Sequence, residues 1–201
     1  QMPATITLGM IPTIAPYQIG AVLRGMKQRY PGTSLRFVED ITQNLVQSTA
    51  RGELDAAMVA TGTDDSLIVE TKLGHDELLL AVARTHRLAK QAHVETKQLQ
   101  DETMLLLKDG HCLSEQAIGF CTARRAGAAL ISMAASIDTL KAMIRAGMGV
   151  TLIPRMAIDT APPDKSLVFL PLKPAPSRII RLITRKTSRL GPLLEAALKW
   201  Q

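Results

Sequence analysis

The sequence predicts an α/β protein of two lobes joined by crossing strands, and three observations carry that prediction. The first sixty residues alternate strand, helix, strand, helix, strand, a pattern that implies right-handed crossovers and a parallel sheet. After the polar stretch TGTDDS, residues 61–66, the pattern changes phase and a second set of elements begins. The chain has 201 residues and 46% apolar content, enough to bury one large core or two small ones.

Taken in order, TITLGMIP (5–12) alternates β-branched and aliphatic residues and predicts a strand ending near Pro12. A helix follows, with Pro16 in its first turn and Ile19, Val22, Leu23, Met26 and Tyr30 at helical spacing, and Pro31-Gly32 stops it. SLRFVED (34–40) is a second strand, Thr42 is placed to cap a helix that Gly52 ends, and LDAAMVA (54–60) is a third strand. Beyond the phase change, ELLLAVAR (77–84) and TMLLLK (103–108) read as strands, joined by a His- and Lys-rich connection with a short helical turn. ALISMA (129–134) is a strand. Ser136 caps the helix IDTLKAMIRAG, Gly147 and Gly149 end it, and VTLIP (150–154) is a buried strand. LVFLPL (167–172) and RIIRLITR (178–185) are strands, and GPLLEAALKW (191–200) is a closing helix.

Composition narrows the function classes. The longest apolar runs, near Leu78 to Ala83 and Ala126 to Ile131, are far shorter than the roughly 20 residues of a membrane span, and no signal sequence leads the chain, so the expectation is a protein of the cytoplasm with no membrane partner. The opening Gln-Met-Pro, running straight into a strand, suggests a domain of a longer protein. A net charge of +6 is mildly basic, but 3% aromatic content leaves few stacking platforms, and the cluster Arg178, Arg181, Arg185, Lys186 and Arg189 reads as a charged strand face and surface. Nucleic-acid binding by this stretch is therefore the less favoured reading, and nucleic acid stays open as a target of another part of the protein.

Both cysteines lie in GHCLSEQAIGFC, residues 110–121. On a helix, nine residues put the two sulfurs on opposite faces and about 13 Å apart along the axis, whereas a disulfide needs Cα atoms within roughly 7 Å. A bond between them would thus require the segment to leave its reduced conformation. Asp109-Gly110 is a turn signal that places Cys112 at the first turn of a short helix, where free N–H groups stabilise a thiolate, and His111 can add a hydrogen bond or a charge. A thiolate so placed attacks peroxide to give a sulfenic acid, which a second thiol resolves. Taken alone, the segment is better explained by two small buried hydrophobes, the commoner role of cysteines. Zinc is disfavoured because no C-x(2–4)-C pair exists and His75, His86 and His93 lie in unrelated segments. No hydrolase elbow, P-loop or dinucleotide fingerprint occurs, so no metal and no cofactor are expected.

Thr13 follows the first strand and Thr42 the second, so both belong to the carboxyl edge where ligands of parallel sheets bind, although spacing alone favours a turn residue at Thr13 and a helix cap at Thr42. LGMIPTIAPY, LKDGHCLSEQAIGFC, SIDTLKAMIRAGMGVTLIP and KPAPSRIIRLITR occur in the order and spacing of the OxyR-type hydrogen-peroxide sensors among the LysR-type transcriptional regulators, and the chain resembles that family over essentially its whole length. The helix-to-Gly-x-Gly-strand stretch is general to LysR-type regulators, while the G-H-C-L to G-F-C segment is specific to the peroxide sensors.

The resemblance implies two Rossmann-like subdomains of the periplasmic-binding-protein type: residues 1–75 plus 181–201 as the first, and 76–180 as the second. It implies Cys112 as the peroxidatic cysteine and Cys121 as the resolving one, joined in a disulfide on oxidation. Thr13, Thr42, His111, Gln116 and Arg178 are implied as residues around the peroxide and the thiolate. It further implies a winged helix-turn-helix domain elsewhere in the protein, a dimer or tetramer, promoter DNA and RNA polymerase as partners, and a thiol reductant such as glutaredoxin or thioredoxin. The chain is expected to act as a sensor and not as an enzyme. One departure stands out: Ser114 and Glu115 occupy positions where well-known members carry a basic residue and an aspartate, which removes a cation near the thiolate. The rival readings are a LysR-type domain that binds a small metabolite, with incidental cysteines, and a thiol peroxidase.

Overall fold

In a computed structural model, residues 2–108, 110–123 and 129–198 are described. The chain divides into two compact units, one formed by Gln1–His75 with Ile179–Gln201 and the other by Asp76–Arg178. The chain passes between them twice, inside β4 (Ile68–Ala83) and inside β11 (Ser177–Arg185).

The first unit is the parallel βαβαβ array that its alternating sequence dictates. Strand β1 (Thr5–Met10) runs parallel to β2 (Ser34–Glu39) on one side and β3 (Ala56–Val59) on the other. Residues Arg181–Ile183 of β11 pair antiparallel with β3. Helix α1 (Ala15–Arg29) carries its proline in the first turn, buries Val22 and Met26, and stops before Pro31. Leu23, by contrast, is exposed. Helix α2 (Thr42–Arg51) buries Leu45 and Val46 and ends at Gly52, whose φ of 78° is the left-handed conformation glycine adopts without a Cβ penalty. The fully buried Ile6, Leu8, Ala56, Ala57, Met58 and Val59 form the centre of this core.

In the second unit, β4 continues as the wholly apolar run Leu78 to Ala83 and pairs antiparallel with β8 (Thr151–Pro154) and β9 (Leu167–Leu170). Strand β6 (Thr103–Leu107) pairs in parallel with β7 (Ala129–Ala134). It also meets the chain at Val150 in parallel, through Leu105 N–H to Val150 O at 2.8 Å and Val150 N–H to Thr103 O at 2.9 Å. Gly149 permits that approach, since a Cβ there would collide with the Thr103 carbonyl. Helix α3 (Cys112–Ala123) follows β6 and helix α4 (Ile137–Arg145) follows β7. As its sequence requires, α4 is capped by Ser136, whose Oγ accepts from Thr139 N–H at 3.2 Å.

Three expectations are corrected, and one helix appears that was not predicted. The strand predicted over 77–84 is the second half of a 16-residue strand that starts at Ile68. The Arg84 to Lys97 connection contains, besides turns, a two-residue strand β5 (Val94–Glu95) paired with β10 (Leu172–Lys173), and its helical turn, Thr96–Leu99, is 3-10. A one-turn helix, α5 (Arg155–Asp159), follows β8 directly. Thr42 is the first residue of α2 and not its cap; that position is Ile41, beside Asp40, whose Oδ1 accepts from Ile41 N–H at 2.8 Å. Helix α6 (Gly191–Ala197) lies within the predicted closing helix, whose last residues, 199 and 200, are outside those described. Among the described residues no helix is long and apolar enough to cross a membrane.

Candidate functional site

The second unit sets its chemistry on one sheet edge. Strands β6 and β8 run parallel, so Leu107 and Pro154 end on the same side, and the antiparallel pairing of Leu78 with Pro154 brings the first residues of the β4 run to that side too. Carboxyl ends of parallel strands are where helix N-termini gather, and ligands with them. From Leu107 the chain turns through Gly110, at a left-handed φ of 90°, and Cys112 opens α3. Ser114 N–H bonds the His111 carbonyl at 3.0 Å as the first turn closes. Asp109 lies outside the described residues.

Both cysteines are buried and form no disulfide, and they stand on one continuous helix. Nine residues of α-helix hold them about 13 Å apart along the axis and on different faces. Burial pushes the Cys121 thiol above its ordinary value, so it is held protonated. Cys112, at the first turn, has the dipole and the free amides of the helix start on its side. Ser114 is also buried, and its Oγ donates to the Leu107 carbonyl at 2.9 Å, tying the first turn of α3 to the end of β6. Glu115 is exposed, His111, Gln116 and Phe120 half-buried.

Arg178 is not part of a charged surface, as the sequence suggested; its side chain is fully enclosed. It sits on the buried face of β11 with Ile180 and Leu182, and its Nε donates to Asp76 Oδ2 at 2.9 Å. Asp76 is equally buried, and its other oxygen, Oδ1, accepts from Met156 N–H of α5 at 3.1 Å. Burial raises the Asp76 carboxyl above the ordinary aspartate value, while the Arg178 charge and the two hydrogen bonds pull it down. Asp76 was not legible in the sequence; its one signal was an acidic residue two positions ahead of the apolar run Leu78 to Ala83, with Glu77 between them.

In the first unit, β1 and β2 pair through Met10 and Glu39, and Thr13 and Thr42 each lie three residues past those ends. Both therefore fall on the carboxyl edge of that sheet, as the sequence indicated. Thr13 is buried, and the Thr42 Oγ is enclosed without a hydrogen-bond partner, a costly state for a hydroxyl unless something binds it. Asp40 beside it is occupied by Ile41 N–H and by the Asn44 side chain at 2.9 Å. No group of three or more His, Cys, Asp or Glu able to hold a metal ion occurs among the described residues.

Comparison with known proteins identifies the fold and the family. The chain is 33% identical over 190 residues to the DNA-binding transcriptional dual regulator OxyR of Escherichia coli, a match covering 94% of this chain and 62% of that protein, so the chain spans under two thirds of that relative's length. It is similar to the crystal structure of the reduced form of OxyR, with a TM-score of 0.84, 33% identity and coverage of 96% and 93% of the two chains. It is equally similar to the oxidised form, with a TM-score of 0.84, 34% identity and coverage of 98% and 95%. The fold is thus the α/β architecture of those regulatory domains, two Rossmann-like lobes of the periplasmic-binding-protein type. The model of the LysR substrate binding domain matches residues 1–200, and the chain belongs to that family.

Proposed function

We propose that this chain is the peroxide-sensing regulatory domain of an OxyR-type transcriptional regulator. One observation carries the reading above the others: two buried cysteines that form no disulfide stand on a single helix whose geometry keeps them apart, with the first at the helix start. The Cys112 thiolate attacks one oxygen of hydrogen peroxide, breaking the O–O bond; that oxygen stays on sulfur as a sulfenic acid and the other leaves as hydroxide, which takes a proton to become water. Cys121 then attacks the Cys112 sulfur, the S–O bond breaks, and the disulfide forms with loss of a second water. Because α3 cannot hold that bond as a helix, residues 112–123 must rearrange. The redox state of two atoms is thereby converted into a change of backbone, the form of switch a regulator needs.

In this reading Thr13, Thr42, His111, Gln116 and Arg178 bind the peroxide and stabilise the thiolate, and the enclosed, unpartnered Thr42 hydroxyl supports a polar ligand at its edge. The two units serve as regulatory subdomains. Dimer or tetramer packing carries the signal to DNA-binding domains that engage promoter DNA and RNA polymerase in the cytoplasm. A thiol reductant such as glutaredoxin or thioredoxin resets the bond, so each chain senses once per cycle and does not turn over as an enzyme.

The test is intact mass with peptide mapping after brief exposure of the reduced protein to stoichiometric peroxide, with no reductant added. A peptide linking Cys112 to Cys121 is the expected product. Untouched thiols would sink the reading in favour of a metabolite-binding domain, which a thermal-shift panel would then address.

A further inference from the structure

We propose that Asp76 is a positioning residue for the chemistry of Cys112: its carboxylate fixes the Arg178 guanidinium at the sheet edge from which α3 begins and offsets part of its charge there. The inference rests on the reading of Cys112 as the reactive thiol and deepens it by adding a residue that this reading does not include.

Three elements converge on the Asp76 carboxylate. It heads the β4 run of the second unit, receives Arg178 Nε from β11 at 2.9 Å, and receives Met156 N–H from α5 at 3.1 Å. Asp76 and Arg178 are also the first and last residues of that unit. An enclosed guanidinium requires an anion, and an enclosed carboxylate requires donors for both oxygens; here each demand meets the other. Arg178 Nη2 lies 3.6 Å from Met156 Sδ, so the guanidinium is held from the β4 and α5 sides. The other charged groups near Asp76 are Arg155 and Asp159 of α5. Arg155 is occupied by Glu77, with Nη2 2.6 Å from its Oε2. The cation in contact with Asp76 is therefore Arg178.

The placement relative to Cys112 follows from the sheet. β6, which leads into α3, neighbours β8 in parallel, and β8 neighbours β4 antiparallel, so the end of β6 and Asp76 are two strand spacings apart on one edge, about 10 Å. Over that distance in a partly buried setting a full charge perturbs a thiol, and a paired charge perturbs it less. Asp76 thus sets how strongly Arg178 favours the Cys112 thiolate.

The experiment follows alkylation of Cys112 by iodoacetamide as a function of pH, in a Cys121→Ser background that leaves one thiol. Arg178→Gln is expected to raise the midpoint. Asp76→Asn keeps a hydrogen-bonding oxygen for Arg178 but removes the charge, and is expected to lower the midpoint by about one pH unit. Arg178→Gln leaves Asp76 as an unpaired carboxylate, so the double variant is expected to titrate below Arg178→Gln, yet above Asp76→Asn because the Arg178 charge is absent. A midpoint in Asp76→Asn that stays or rises while Arg178→Gln raises it overturns the inference and leaves the assignment of Arg178 standing; so does a double variant whose midpoint matches that of Asp76→Asn. Unmoved midpoints in both single variants overturn the inference and the role of Arg178 together. Cys112 that ignores peroxide in the wild-type chain removes the reading beneath them.

Discussion

Cys112 and Cys121 are equally buried, yet their surroundings ask different things of them. Cys112 stands at the start of α3, where a thiolate is favoured, and Cys121 stands buried within the last turns, held as a thiol. Cys112→Ser is therefore expected to leave Cys121 unoxidised by stoichiometric peroxide, while Cys121→Ser halts at the sulfenic acid, trapped by a dimedone-type reagent and read by mass. Asp164 offers a separate check on the electrostatics. Hydrogen bonds from Ser166 and Arg145 lower its carboxyl to about 2 from 3.8. A folded value below the unfolded one adds stability above the unfolded value, and that stability is lost as pH falls toward the folded one. Asp164→Asn should then be less stable than wild type in urea at pH 6, with the gap narrowing as pH drops below about 4. At this scale the sequence disclosed the cysteines and the two threonines, because they stand beside turns and strand ends. It concealed Asp76 and the interior position of Arg178, since a charged residue reads as exposed until its partner, 102 positions away, is known.

The elements that the sequence disclosed are those whose own residues decide them. Ser136, the apolar stripe Ile137, Leu140 and Ile144, and Gly147 define α4 at both ends and on its buried face. Ser136→Ala should cost about 1 kcal/mol in an equilibrium urea titration, the usual value of a lost N-cap. The first half of β4 was hidden for the opposite reason. Ile68 to His75 contains Glu70, Lys72 and Gly74 and is mostly exposed, so its extended form is decided by neighbours distant in sequence. Thr42 was misassigned as a cap because Ile41, with no side-chain oxygen, takes that place. Gly149 makes β6 and β8 neighbours, and Gly149→Ala must push the Thr103 carbonyl away. The expected loss is about 1–3 kcal/mol by the same titration, the range for an overpacked interior site.

For the molecule as a whole, the two-lobe α/β class was legible from the βαβαβ opening and the later change of phase, while the residues at which the chain crosses between units were not, because both crossings lie inside continuous strands. Hydrogen exchange on the oxidised chain should show protection lost over residues 112–123 and retained in β1, β2 and β3, whose bonds involve neither cysteine. The shared helix also governs time. In the proposed reading peroxide reaches the first sulfur in a second-order encounter, but the second sulfur can respond only when α3 opens. Disulfide formation should consequently settle to a rate that no further peroxide accelerates, and Gly or Pro placed on the exposed face of α3, at Ile118, should quicken it. The helix would then be a clock, giving the sulfenic acid a dwell in which reductant can cancel a brief pulse before the regulator commits.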